Sequence, residues 1–180
     1  LFFSSTSHVY KLNFKSHKIS EKEKAYPQTK YGKTKFIAEN YLRKKLNKSG
    51  IKICIGRIFS FTDKNQKTPF VIPSITKKIK LSKKKVTLHK LNHFRDFLNT
   101  KDIISAIDLL RKKNASGIYN IGTGNLFDLK IIAQLISKKF NKKINFIDSN
   151  KTTYLISNNK KISKLNWKPQ KFNMNLNYFY

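Results

Sequence analysis

Cysteine is almost missing from this chain. Cys54 is the only one, so no internal disulfide can form, and the fold must hold by packing and hydrogen bonding. That agrees with a reducing, cytoplasmic setting. Acidic residues are also few: nine Asp and Glu stand against 39 Lys and Arg, a formal net charge of +30. Within the basic set arginine is scarce, limited to Arg43, Arg57, Arg95 and Arg111. A nucleic-acid surface clusters its charge and favours the bidentate guanidinium fork. Here lysine is spread along the whole chain beside abundant Asn, Ile and Phe, all residues with AT-rich codons. The excess therefore reads as compositional drift, and a nucleic-acid partner is disfavoured, although the field still attracts anions such as a nucleotide diphosphate. No apolar run reaches the roughly 18 to 20 residues of a membrane helix, so no membrane partner is expected. The histidines His8, His17, His89 and His93 lack metal-ligand spacing, and with one cysteine no metal site is expected. Glycine is rare too, six in 180 residues. None forms a three-glycine dinucleotide loop: Gly122-x-Gly124 lacks the third glycine and lies far down the chain.

What is present is enough for a real core. Hydrophobic residues make up 39% and aromatics 13%, too much apolar material for a disordered chain. Leu1-Phe2-Phe3 reads as a buried strand end, which suggests that residues precede it. Residues 11–30 read as a lysine-rich surface loop, punctuated by Pro27. From Tyr31 to about Leu46 the pattern is helical, with Phe36, Ile37, Tyr41, Leu42 and Leu46 on one stripe. Ile51 to Phe61 reads as a buried strand, Pro69 to Leu81 as a helix with Ile72, Ile75 and Ile79 inward, and Lys83 to His89 as a short strand. A further strand is expected at Phe94 to Leu98. Thr100 is placed to cap a helix from Lys101 to Lys113 with Ile103, Ile104, Ile107 and Leu110 inward. Ile118 to Ile121 reads as a strand and Gly122-Thr123-Gly124 as a turn. Asp128 caps a helix through Phe140 with Ile131, Ile132, Leu135 and Ile136 inward, and Ile144 to Ile147 is a last strand. Beyond Asn150 the tail is polar and weakly patterned, apart from Leu165 and Trp167. Alternating strands and helices make the class α/β.

The chemistry concentrates at Tyr31-Gly32-Lys33-Thr34-Lys35. Tyr31 and Lys35 are four apart at a helix start, so they share one face, one turn apart. A phenol is a poor proton shuttle at its ordinary pKa of about 10, and a neighbouring ammonium favours the phenolate. Alone, a Tyr followed four later by Lys says little in so lysine-rich a chain. Its context says more. Upstream lies Phe3-Ser4-Ser5-Thr6-Ser7-His8-Val9-Tyr10. Downstream come Ile55-Gly56-Arg57-Ile58-Phe59-Ser60, Arg95-Asp96-Phe97, Asp102 with Ala106, Tyr119-Asn120-Ile121-Gly122-Thr123-Gly124 and Leu165-Asn166-Trp167-Lys168-Pro169. In this order and spacing the chain resembles the extended short-chain dehydrogenase/reductases, the NAD-dependent epimerase/dehydratase family. That family carries Ser-Ser-x-x-x-Val-Tyr at a strand end, Tyr-x-x-x-Lys, Arg-x-Phe-Asn, Arg-Asp-Phe, Tyr-Asn-Ile-Gly and Leu-Gly-Trp-x-Pro.

The resemblance implies roles. Thr6 matches the catalytic Ser/Thr that hydrogen-bonds the reacting sugar oxygen. Tyr31 matches the general acid/base, and Lys35 the lysine that holds the nicotinamide ribose and assists the tyrosine. Ile58 and Phe59 are expected beside the nicotinamide. Ser5, Thr6, Ser60 and Arg95 are expected on the substrate, with the Arg95 guanidinium on the nucleotide diphosphate. Ser60 stands where the family usually has Asn, Lys11 follows Tyr10 where Gly is common, and Asn166 replaces the Gly of Leu-Gly-Trp. A structural alternative for Arg95 is an ion pair with Asp96 or Asp102. Asp102, at a helix start, suits capping or buttressing better than catalysis.

The implied fold is the C-terminal part of a Rossmann-like doubly wound parallel sheet without its N-terminal βαβ units, with a small interleaved α/β substrate-binding region. Residues 1–62 form the second half of the cofactor domain, 63–93 the substrate region, 94–113 a return to the cofactor domain, and 114–180 more substrate region and the tail. The expected cofactor is NAD or NADP, and the expected partners are a nucleotide-diphosphate sugar and a second copy of the chain. Without the glycine-rich loop, this chain alone is expected to bind NAD weakly or not at all. An epimerase is the default activity. The stretch Gln66 to Ser74 also resembles deoxysugar-nucleotide 4-keto reductases, Ser7-His8 argues mildly against dehydration, and a non-catalytic remnant is the remaining alternative.

Overall fold

The computed structural model describes residues 1–170; residues 171–180, the end of the segment 114–180, lie outside the described residues. β1 (Phe2–Thr6) runs into a 3-10 turn at Ser7–Val9, and β2 (Lys18–Ile19) follows a loop. Next come α1 (Lys30–Leu46), β3 (Cys54–Ile58), β4 (Ser60–Thr62), α2 (Val71–Leu81) and β5 (Lys85–His89). β6 (His93–Arg95) and β7 (Phe97–Asn99) are separated by Asp96 alone, and α3 (Thr100–Lys112) and β8 (Gly117–Ile121) continue the alternation. The chain closes with β9 (Phe127–Asp128), α4 (Leu129–Lys139), β10 (Lys143–Ile147), β11 (Thr153–Ser157) and α5 (Lys160–Ser163).

The fold is α/β with parallel sheets, as the alternation predicts. The central sheet has the order β1-β3-β8, all parallel. Register pairs Phe3 with Ile55 and Ser5 with Arg57. Side chains alternate between faces, so Ser5, Ile55 and Arg57 face α1, while Cys54 and Ile58 join Ile103, Ala106 and Leu110 of α3 in one core on the opposite face. A second core joins Ile72, Ile75 and Ile79 of α2 to Ile132, Ala133 and Ile136 of α4, over the parallel pair β5-β10. A four-stranded sheet, β2-β11-β6-β9, links the two regions.

Three departures from the sequence expectations have clear causes. The segment expected as one strand at Phe94 to Leu98 is broken at Asp96, because β6 pairs with β11 and β9 while β7 pairs with β4 in another sheet. The segment expected to return to the first sheet does not stop at residue 113: β8 pairs in register with β3, Gly56 opposite Tyr119. The weakly patterned stretch after Asn150 forms β11 and α5, which bury Leu155, Ile156 and Ile162 beside the expected Trp167. Its alternation is too short and its flanks too polar to register as a strand pattern.

Helix faces also rotate slightly. Ala106 and Ala133 are fully buried, whereas Ile104 and Ile131 point outward. Small residues let a helix approach the sheet closely, so the alanines mark the contact lines. α3 is capped by Asn99, not Thr100: the Asn99 side chain accepts from Asp102 N at 2.7 Å. Asp128 caps α4 as expected, accepting from Lys130 N at 2.7 Å. With so little glycine, left-handed positions after helices fall to asparagine. Asn114 after α3, Asn141 after α4 and Asn166 after α5 have φ of 46°, 50° and 68°, a conformation that asparagine tolerates better than other side chains.

Candidate active site

One cavity of about 720 Å³ gathers most of the residues singled out in the sequence. Its walls carry Ser5, Thr6 and His8 from the end of β1, Tyr31 from the first turn of α1, Ile58 at the end of β3 with Phe59 and Ser60 after it, and Arg95 from β6. The cavity thus lies at the carboxyl end of the parallel strands, where ligands of open α/β sheets bind.

Each side chain has a local reason for its place. Thr6 ends β1 and caps the 3-10 turn, its Oγ1 accepting from His8 N at 3.3 Å. The hydroxyl hydrogen remains available to donate into the cavity. Ser5 faces the other way: its hydroxyl donates to buried Glu39, so it meets the cavity without that group. Thr29 caps α1 by accepting from Gly32 N at 3.0 Å, which fixes the turn that holds Tyr31. The Tyr31 ring is 55% exposed and stands edge-on to His8, with ring centroids 6.1 Å apart. One turn along, Lys35 Nζ donates to Ser4 O at 2.9 Å and lies 5.2 Å from the centre of the Phe3 ring. Lys35 does not line the cavity itself. Phe59 is buried and its N–H donates to Ile121 O at 2.9 Å, anchoring the strand exit to β8.

Arg95 makes no ion pair with Asp96 or Asp102. Its guanidinium donates to Phe94 O at 2.8 Å, Thr153 O at 3.0 Å and Thr153 Oγ1 at 3.0 Å. Burial pulls its pKa down to about 10, so it stays charged at neutral pH. A half-buried cation facing only neutral acceptors suits an anionic ligand. Burial first, and then the Arg95 charge, also pull His8 and His93 below the ordinary histidine value.

Sequence reasoning missed Glu39 altogether and the true partners of Asp96. Glu39 is fully buried, with Arg57 donating from Nε to Oε1 at 3.0 Å and from Nη2 to Oε2 at 2.6 Å. This pair ties α1 to β3. The signal was available: an arginine inside an apolar strand needs a partner. Asp96 is also fully buried and pairs with no cation among the described residues. It accepts from the backbone N–H groups of Thr123, Gly124 and Ser157 and from the Thr123 and Ser157 hydroxyls. It therefore pins the turn after β8 to β11, beneath Arg95. Asp102 does not cap α3, a place that Asn99 takes; it buttresses the segment after α5 instead, its Oδ1 accepting from Gln170 N at 2.9 Å, and burial raises its pKa.

A parallel sheet whose strand ends carry Thr6, with Tyr31 and Lys35 one turn apart on the adjoining helix, is the arrangement of an extended short-chain dehydrogenase/reductase. A family model described as GDP-mannose 4,6 dehydratase matches residues 1–176, and the chain belongs to that family of NAD-dependent epimerases and dehydratases. Among curated proteins it is similar to dTDP-4-dehydro-6-deoxyglucose reductase of Escherichia coli, 28% identical over 160 residues, covering 84% of this chain and 51% of that protein. Among solved structures, RMD from Pseudomonas aeruginosa complexed with NADPH superposes with a TM-score of 0.84 at 20% identity, covering 94% of this chain and 61% of that one. dTDP-glucose 4,6-dehydratase from Bacillus anthracis in complex with NAD superposes at 0.82 with 23% identity, covering 94% and 56%. UDP-glucuronic acid 4-epimerase from Bacillus cereus, in complex with UDP-glucuronic acid and NAD, superposes at 0.83 with 24% identity, covering 99% and 58%. The chain thus spans about half to three-fifths of the length of these relatives. No helix among the described residues is long and apolar enough to cross a membrane, and no cluster of three or more His, Cys, Asp or Glu among them could hold a metal ion.

Proposed function

We propose that this chain carries the catalytic and sugar-nucleotide-binding part of a NAD(P)-dependent nucleotide-sugar epimerase, dehydratase or reductase, with epimerisation as the default reaction. The observation that carries this is the convergence of Thr6, Tyr31 and Arg95 on one cavity at the strand ends. Thr6 donates a hydrogen bond to the reacting sugar oxygen. Tyr31 takes the proton from that hydroxyl, or returns it, a contribution typically worth about 10² to 10⁴-fold. Arg95 holds the diphosphate.

The residues present suit the nicotinamide end of a dinucleotide. Lys35 spends one of its three donors on Ser4 O and has no carboxylate partner among the described residues, which leaves donors for ribose hydroxyls. Ile58 and Phe59 offer an apolar wall and backbone at the strand exit. When bound, NAD(P) supplies the hydride acceptor or donor at the sugar carbon. The chain contains no three-glycine loop, so its own affinity for the dinucleotide is weak, and turnover by these 180 residues alone is low or absent. On α1, Ile37 and Tyr41 are exposed, and a second copy of the chain packing on that face gives them a partner.

A 4-keto reductase is the second reading. It is favoured by the place of Pro69, Phe70 and Val71 on the cavity wall, inside the stretch that resembles those reductases, and by the curated relative's name.

The test is calorimetric titration of the chain with UDP-glucose, dTDP-glucose and GDP-mannose. Binding of at least one, weakened at least tenfold by Arg95→Ala, supports the proposal. No binding of any of them, or unchanged affinity in the variant, removes it. In the full translated product, Tyr31→Phe should lose nearly all turnover while keeping sugar-nucleotide affinity. Product analysis separates an epimerised sugar from a reduced one.

A further inference from the structure

The cavity holds a group with no assigned part. His8 lies two residues beyond Thr6, on the wall shared with Tyr31 and Arg95. Among the described residues its ring stands edge-on to Tyr31 with centroids 6.1 Å apart, and neither ring nitrogen has a hydrogen-bond partner. His93, on the same wall, differs: its Nδ1 is engaged with Thr153 Oγ1 at 3.1 Å. The His8 backbone is also held firmly. Its N–H donates to Thr6 Oγ1, and its carbonyl abuts Gly32 in the first turn of α1. The imidazole is therefore placed beside the phenol by backbone contacts on both sides, on the wall of the cavity.

We propose that His8 is a substrate-contacting residue of this site, hydrogen-bonding a hydroxyl of the sugar ring beside the oxygen that meets Tyr31 and Thr6. The inference rests on the functional reading above and adds to it a determinant of sugar recognition. The chemistry distinguishes the two ends of the ligand. The charges near His8 are those of Arg95, on the same wall, and Lys90, which lines the same cavity. Burial and Arg95 keep His8 neutral at pH 7. A neutral imidazole offers one donor and one acceptor, which matches a hydroxyl, itself both donor and acceptor. A diphosphate needs donors and positive charge, and Arg95 supplies those. His8 therefore belongs to the sugar and Arg95 to the phosphates.

The test compares each sugar nucleotide with its bare nucleotide, using UDP-glucose against UDP, dTDP-glucose against dTDP, and GDP-mannose against GDP. Titrations use the 180-residue chain and its His8→Ala and His8→Gln variants. For whichever pair binds, His8→Ala is expected to weaken the sugar nucleotide about fivefold to tenfold, the effect of one hydrogen bond, and to leave the bare nucleotide unchanged. His8→Gln, which keeps a donor and an acceptor, should recover part of the loss. Arg95→Ala should weaken both ligands. Imidazole nitrogen NMR of the unmodified chain gives a readout that needs no variant to fold: the His8 resonances should move on adding the sugar nucleotide and not on adding the nucleotide. Equal affinities in His8→Ala and the parent chain, equal losses for both ligands, or His8 resonances that ignore the sugar would each overturn the inference while the functional reading stands. If the parent chain binds none of the six ligands, the functional reading falls and this inference with it.

Discussion

Gly32 and the backbone of His8 are in direct contact: a Cβ on residue 32 would collide with the His8 carbonyl oxygen and carbon. The first turn of α1 therefore sits on the turn that follows β1, and the distance between Tyr31 and Thr6 is set by backbone, not by adjustable side chains. Two effects oppose each other in Gly32→Ala. Alanine in a helix gains up to about 1 kcal/mol over glycine. The collision is with backbone, which cannot swing aside, and overpacking of this kind costs about 1–3 kcal/mol. The collision should win. Gly32→Ala is expected to lower the melting temperature and to weaken sugar-nucleotide binding, since Tyr31 must shift. An unchanged melting temperature would mean that α1 is free to lift off β1.

The Glu39–Arg57 pair is the strongest single tie between α1 and the central sheet. Glu39 is 0% exposed and Arg57 3%, so neither charge can turn to water if the other is removed. Glu39→Ala should cost about 3–5 kcal/mol, because it strands a buried guanidinium. It also leaves the Ser5 hydroxyl without its acceptor. The double variant Glu39→Leu with Arg57→Met should cost much less than the sum of the two single changes, since it removes both charges together. Urea denaturation of the four proteins gives the coupling. Additive losses would show that the pair is not the tie described.

Much of this was legible in the sequence, and the rest was not for identifiable reasons. Tyr31, Lys35, Thr6 and Arg95 stand in short motifs whose residue types carry the chemistry, and periodicity alone gave the buried faces of α2 and most of α3. Glu39 was invisible because it sits on a helix among polar residues, where an acid is ordinarily solvated; only the partner strand, distant in sequence, makes it buried. Asp96 was placed next to the arginine of its motif and weighed as its ion-pair partner. Its actual donors are at Thr123, Gly124 and Ser157, contacts that no local pattern encodes. β11 was missed because it is five residues long, and its apolar Tyr154, Leu155 and Ile156 lie between Thr153 and Ser157 in a polar stretch.

Tyr10 makes the fold sensitive to alkali. It is 2% exposed, its hydroxyl donates to Asn120 Oδ1 at 2.8 Å, and burial pushes its pKa up to about 12, partly offset by Arg57. The folded chain thus holds this proton more tightly than the unfolded chain, in which tyrosine titrates near 10. The stability that the phenol contributes is intact below pH 10 and is lost as pH rises from 10 toward 12, about 2–3 kcal/mol in all. Lysine titration overlaps this range, so the comparison is with Tyr10→Phe. At pH 7 the variant should be less stable by about 1 kcal/mol, the worth of one hydrogen bond. That gap should close and then reverse as pH rises from 10 toward 12, since the parent alone loses this larger stability, and tyrosinate absorbance should lose its latest-titrating component. A gap that stays constant with pH would mean that Tyr10 titrates as it does in the unfolded chain.

Asn166 tests the substitution of asparagine for glycine at helix ends. Its φ is 68°, and its N–H donates to Ser163 O at 2.9 Å, closing α5 before Trp167 enters the core. The related motif has glycine at this position, and the backbone explains both choices: glycine takes this conformation freely, and asparagine is the side chain that resists it least. Asn166→Gly should therefore be neutral or slightly stabilising. Asn166→Val, β-branched, should cost about 1–3 kcal/mol. Trp167 is the only tryptophan and is 4% exposed, with Nε1 donating to Ser105 Oγ at 3.0 Å. Its fluorescence reports directly on whether the turn still delivers it to α3. A red-shifted emission in Asn166→Val and an unshifted one in Asn166→Gly are the expected outcomes. Equal emission and equal stability in both would mean that the left-handed turn at residue 166 is not what seats the indole against Ser105.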